Sequence, residues 1–164
     1  MISKDQLAAS MIRECDIAVH LFGKLQDGAL EYRPTEGQRT TLELLRYLSV
    51  CGIAGIHAME ADDLRLVTQR VAEAGAMRAE EFPGAMERQK QQIAAWFDRM
   101  DEATLETHQA RVPGWGAIPL GLALLNAPLK WLTAYRMQLF LYAKATGAAE
   151  IGTANAWAGI DWKR

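Results

Sequence analysis

The chain has 164 residues, enough for one domain with a sizeable core and no disulfides. Half of its residues are hydrophobic and 23% are charged, an ordinary globular balance, and a net charge of −2 excludes the broad basic face of a general nucleic-acid binder. The two cysteines, Cys15 and Cys51, lie in helical apolar patterns rather than a C-x-x-C motif; we read them as small buried hydrophobes in a reducing, cytoplasmic setting.

The start, Met1-Ile2-Ser3-Lys4-Asp5, is polar and contains an acid, unlike a signal or transit peptide. Ser3 with Gln6 forms a capping box for a first helix. Leu7, Met11, Cys15, Ala18, Phe22 and Leu25 recur at three- and four-residue steps, with Gly28 as terminator. Residues 28–39 read as a loop, marked by Arg33-Pro34 and Glu36-Gly37. A second helix starts at Thr40-Thr41-Leu42-Glu43, again a capping box, and carries a stripe of Leu45, Leu48, Gly52, Gly55 and Met59. The glycines in that stripe predict close approach by a neighbouring helix. Residues 61–80 are polar and helix-prone, a connector or short extra helix. A third helix follows Pro83, with Met86, Gln89, Ile93, Phe97 and Met100 on one side.

Pro113-Gly114-Trp115-Gly116 marks a loop, and Pro119 stands near the start of a fourth helix reaching about Thr146, with Gly147 at its C-terminal cap. Pro128 is expected to kink that helix by displacing the carbonyl of Leu124. Residues 118–142 form the one candidate membrane stretch, but Pro119, Asn126, Pro128, Lys130, Arg136 and Gln138 interrupt it, so no membrane span is expected. The tail, 148–164, holds Trp157 and Trp162 and is expected to pack on the bundle or on a partner. With no convincing strand alternation and no internal repeat, the expected architecture is all-α: one domain over residues 1–164, a four-helix bundle with a short extra helix or connector between its second and third helices.

Two segments are more specific. The first is Tyr32-Arg33-Pro34, then Glu36-Gly37, then Arg39-Thr40-Thr41-Leu42-Glu43-Leu44-Leu45-Arg46-Tyr47-Leu48. The second is Trp131-x-x-x-Tyr135-Arg136-Met137-Gln138-Leu139, followed by Tyr142 and Gly147. Together they resemble the DinB/YfiT-like family of bacterial four-helix bundles, whose segments typically read W-R-P…G-x-x-S-x-x-E-L-x-x-H-L and H-x-x-x-H-R-G-Q-L.

The resemblance implies a metal triad of one histidine from the second helix and two, four residues apart, from the fourth. Some relatives so equipped are thiol S-transferases. At the matching positions this chain has Tyr47, Trp131 and Tyr135. Tryptophan offers only a donor, and tyrosine must ionise from a pKa near 10 to bind a divalent ion well. Arg136 and Gln138 match the family frame, while Met137 replaces its glycine. Cys51, one turn after Tyr47, could face the same cavity.

The expectation is therefore a retained fold without the metal, and no cofactor. Tyr47, Trp131 and Tyr135 would form either a filled aromatic core or a ligand pocket, with Cys51, Arg136 and Gln138 as neighbours. Arg136 is expected to pair with an acidic residue of the third helix. The function expected is non-catalytic: binding an unidentified small molecule or a protein, as a homodimer, with Trp115, Trp157 and Trp162 as interface anchors. The rival expectation is a metal-dependent transferase or hydrolase with ligands recruited from His57, Glu60 or His20. His108 falls in a loop.

Overall fold

The computed structural model describes residues 3–162. Four long helices make the bundle, and the helix breakers of the sequence set their limits. Helix α1 (Lys4–Phe22) starts at Ser3, whose side chain accepts the Gln6 N–H while the Gln6 side chain accepts the Ser3 N–H. It ends at Gly23, five residues earlier than the apolar spacing predicts. Gly28 instead takes a left-handed φ of 82° ahead of a short 3₁₀ turn, Ala29–Glu31. Helix α2 (Thr41–Ala61) opens on the expected capping box, with Thr40 and Glu43 satisfying each other's backbone N–H. The loop before it is tied down: Tyr32's carbonyl accepts from the Thr41 N–H (2.9 Å) and hydroxyl (3.3 Å).

The connector holds helix α3 (Arg65–Glu73) and two 3₁₀ turns, and α4 (Phe82–Arg99) carries Pro83 in its first turn. A short helix α5 (Glu102–Thr107) follows, then an antiparallel hairpin of β1 (Gln109–Val112) and β2 (Gly116–Pro119). The hairpin corrects the expectation of no strands. Pro113-Gly114-Trp115 is its turn, leading into Gly116 at the start of β2, and Gly114 and Gly116 both have positive φ.

The expected fourth helix is a composite: α6 (Leu120–Leu124), a π-helical turn (Leu125–Leu129) and α7 (Lys130–Ala145). Pro128 falls inside the π turn, so the widened turn takes up the clash that a proline brings to an α-helix. Gly147 (φ 120°) ends α7 as expected. The tail forms α8 (Thr153–Ala158) and packs on α1 and α7.

Around the bundle, α1 packs on α4 and α7, and α2 packs on the same two, so α1 and α2 stand diagonally opposite. The core between them includes Met11, Leu21, Leu45, Leu48, Ile56, Met86, Ile93, Trp96, Leu132 and Leu139. Among the described residues α2, not residues 118–142, is the helix long and apolar enough to cross a membrane, and most of it is buried inside the bundle.

The glycines of α2 are the points of closest contact. A Cβ on Gly52 would stand 2.9 Å from Leu132 Cδ1 and 3.1 Å from Gln89 Oε1. Gln89, counted with the apolar stripe of the third helix, is buried there for a polar reason. Its Oε1 accepts from Gly52 N (2.9 Å) and its Nε2 donates to the Leu48 carbonyl (2.9 Å), bridging one turn of α2.

Candidate functional site

Helices α2 and α7 run antiparallel: Tyr47 meets Tyr135, Gly52 meets Leu132, and Gly55 meets Trp131 and Pro128. The two tyrosine rings lie 4.5 Å apart between centroids, tilted by 60°. Trp131 is placed differently. Its ring edge sits over Gly55, two turns further along α2 from Tyr47, so close that a Cβ there would be 2.8 Å from Cζ3. Two of the three aromatics thus stack on each other, and the third fills a notch made by a glycine.

A residue that the sequence reading gave no role completes the stack. Arg39, immediately before the cap of α2, lays its guanidinium over Tyr47, 4.2 Å from the ring centroid, and 5.3 Å from that of Tyr135. Its backbone is pinned as well. The Tyr142 hydroxyl donates to the Arg39 carbonyl (3.1 Å) and accepts from Gln138 Nε2 (2.5 Å). Gln138 therefore acts at one remove, holding the tyrosine that holds Arg39. Tyr142 also meets Tyr32 edge-on at 5.2 Å, which joins both family-like segments in one layer.

Arg136 lies elsewhere. It is fully buried, and its Nε donates to Glu14 Oε2 (2.7 Å) and its Nη2 to Glu14 Oε1 (3.3 Å), while Nη1 donates to the Ala156 carbonyl. Its partner is on α1, not on the third helix. One residue of helix turns the side chain about 100° from Tyr135, toward α1 and α8. Trp157 covers the guanidinium at 5.1 Å.

Burial shapes the titrating groups. It pushes the Tyr47 phenol well above the usual tyrosine range, with the nearby Cys51 thiol and Tyr135 adding to the effect. It likewise pushes up the Cys51 thiol, and raises Cys15 to about 12. Neither cysteine is poised as a nucleophile.

The histidines are dispersed. His57 shares a cleft with Glu60, but the Glu60 carboxylate already accepts from Trp96 Nε1 (2.8 Å) and faces Arg99 at 3.6 Å. His108 Nε2 donates to the Glu60 carbonyl (3.0 Å), and His20 accepts from Asn155 near the tail (3.0 Å). Burial lowers the pKa of both His20 and His57. Among the described residues, no three His, Cys, Asp or Glu side chains are grouped as a metal ion requires.

No family model and no curated protein sequence matches the chain. Among solved structures, the crystal structure of a DinB-like protein, YjoA, from Bacillus subtilis at 2.30 Å resolution superposes with a TM-score of 0.66. The match covers 90% of this chain and 96% of that one, at 12% identity. The fold is DinB-like.

In that DinB-like frame, the metal implied by the family resemblance does not fit the residues present. Trp131 has no lone pair to give, and its ring is seated on Gly55. Tyr47 is held in its neutral form, and the Arg39 cation lies against both tyrosines, where it opposes a second positive ion.

Proposed function

We propose that this chain is a DinB-like bundle whose metal triad has been replaced, and that it works without that chemistry, as a module that binds a small molecule or a protein. The observation that supports this most is the Arg39–Tyr47–Tyr135 stack. A guanidinium lies on two phenol rings at two of the three positions where the family frame implies imidazoles. The two phenol rings are packed together, 4.5 Å between centroids, rather than splayed around a cavity. The proposal extends to a cytoplasmic homodimer, supported by two buried free thiols and by the exposure of Trp115, Trp157 and Trp162.

The test is elemental analysis of the protein purified without a histidine tag. Zinc and nickel are expected well below one equivalent per chain, and unchanged by added metal followed by desalting. Near-stoichiometric metal that is lost on His57→Ala would overturn the proposal in favour of relocated ligands.

A further inference from the structure

Beside this stack three arginines and two carboxylates gather around one cleft. Arg39 lines a surface cleft of about 480 Å³ together with Arg33 and Arg46, between the 33–39 loop, the start of α2 and the α3 connector. That volume falls within the range of small-ligand sites, roughly 300–1,000 Å³.

Each arginine is anchored by a neutral group. Arg39 is anchored by the two tyrosine rings, Arg46 by the Met77 carbonyl, to which its Nε donates (2.9 Å), and Arg33 more loosely by the Glu36 carbonyl (3.4 Å). None of the ion pairs among the described residues involves any of the three.

The carboxylates of the cleft are Glu36 and Glu43. Glu43 is committed to the helix cap, its Oε2 accepting from Thr40 N at 2.7 Å. That bond chiefly holds its carboxyl below the usual range, with Arg33 and Arg46 among the smaller causes.

A solvated arginine is mobile and loses that freedom on binding, whereas a guanidinium already laid on an aromatic face keeps its fork aimed at lower cost. One such group and two further arginines, none of them in an ion pair and set against two carboxylates of which Glu43 is tied to the helix cap, suit a ligand with two or more oxyanion groups.

We propose that the Arg33–Arg39–Arg46 cleft binds a small organic polyanion, its carboxylate or phosphate oxygens held by the three guanidinium groups. The assignment deepens the ligand-binding reading above and rests on it.

Calorimetric titration of the full chain at low ionic strength tests it, with citrate as the carboxylate probe and pyrophosphate as the phosphate probe. One-site saturation by at least one probe is expected, and the tighter probe names the anion class. Arg39→Gln and, separately, Arg46→Gln are expected to weaken that binding about tenfold or more, the scale of one lost charge-assisted contact. Arg39→Lys keeps the charge but loses the fork, and is expected to fall between. Arg65→Gln, on an exposed pair with Asp63 outside the cleft, is expected to bind as wild type. Circular dichroism establishes that each variant is folded, and Arg46→Gln leaves the tyrosine stack intact should Arg39→Gln be unstable. Absence of saturation by both probes, or equal loss in Arg65→Gln and Arg39→Gln, would overturn the assignment. Metal analysis of the same preparation separates the two readings. Metal-free protein that ignores both anions sinks only the cleft assignment, while a stoichiometric metal sinks the reading beneath it.

Discussion

Gly55→Ala decides whether Trp131 occupies the notch on α2 or swings toward the tyrosines. A Cβ added at this position meets Pro128 Cβ at 2.8 Å and Trp131 Cζ3 and Cε3 at 2.8 and 3.1 Å. Neither neighbour is a flexible chain end: one belongs to a proline ring and the other to a flat indole. Overpacking of this kind costs about 1–3 kcal/mol. The same substitution gains about 1 kcal/mol because alanine is the better helix former. The net expectation is a loss of about 1 kcal/mol, which lowers Tm by about 2–4 °C in a protein of this size. Thermal and urea unfolding of wild type, Gly55→Ala, Trp131→Ala and the double variant measure it. Trp131 is half-buried, so Trp131→Ala alone falls in the lower part of the usual 3–5 kcal/mol range, and the two changes couple because removal of the ring relieves part of the clash. Stabilisation by Gly55→Ala, as helix propensity alone dictates, together with additive behaviour in the cycle, would refute the placement of Trp131 and reopen a pocket between the three aromatics.

Two further outcomes follow from buried charge and buried thiols. Glu14→Ala leaves the Arg136 guanidinium, 1% exposed, without its carboxylate, and is expected to cost about 3 kcal/mol in urea unfolding. An effect no larger than that of Asp63→Ala, which breaks an exposed pair, would contradict the burial of Arg136. In the alkaline range, Cys15 and Cys51 stay protonated in the folded chain, while unfolded thiols ionise near 9.0. A raised folded-state pKa contributes stability that is whole below the unfolded value and is lost as pH rises through it. The two thiols together are expected to cost about 3 kcal/mol by pH 10, and Cys51→Ala to remove about half of that fall. An identical alkaline profile in wild type and Cys51→Ala would show that the Cys51 thiol is not held neutral.

The parts of the fold that were legible from sequence are those set by neighbours in the chain. Both capping boxes, the α2 glycine stripe and Gly147 depend on residues a few positions apart, and each stands where its local signal puts it. The apolar period overextends helix α1, because Leu25 continues it, yet Leu25 packs on the core from the loop beyond Gly23. The hairpin left little trace: four-residue strands give only Ala110 and Val112 as inward positions on β1. The partner of Arg136 is not legible in the sequence, because Glu14 is 122 residues away, on a helix whose facing the sequence does not specify. Of the aromatic cluster, the tyrosine contact follows from the family-like spacing, whereas the seat of Trp131 depends on Gly55 and the π turn at Pro128. Arg39 carried a usable signal, an arginine directly before a helix cap in a segment already singled out. What it stacks on is fixed only by tertiary packing.

The placement of Arg39 also alters what kind of ligand the end of the bundle can attract. Three neutral imidazoles converging from two helices form a set of lone pairs, and such a set is completed by a cation. Tyr47 and Tyr135 instead present ring faces, whose negative quadrupole is already matched by a guanidinium at 4.2 and 5.3 Å. The cation is thus covalently part of the chain, and its guanidinium can only donate hydrogen bonds. Restoring histidine at 47, 131 and 135 while Arg39 stays would put an imidazole cluster beside a fixed positive charge. Under the proposed reading, a fixed arginine against Tyr47 and Tyr135 disfavours a metal ion at these positions, and the end of the bundle is better suited to anions than to metal ions.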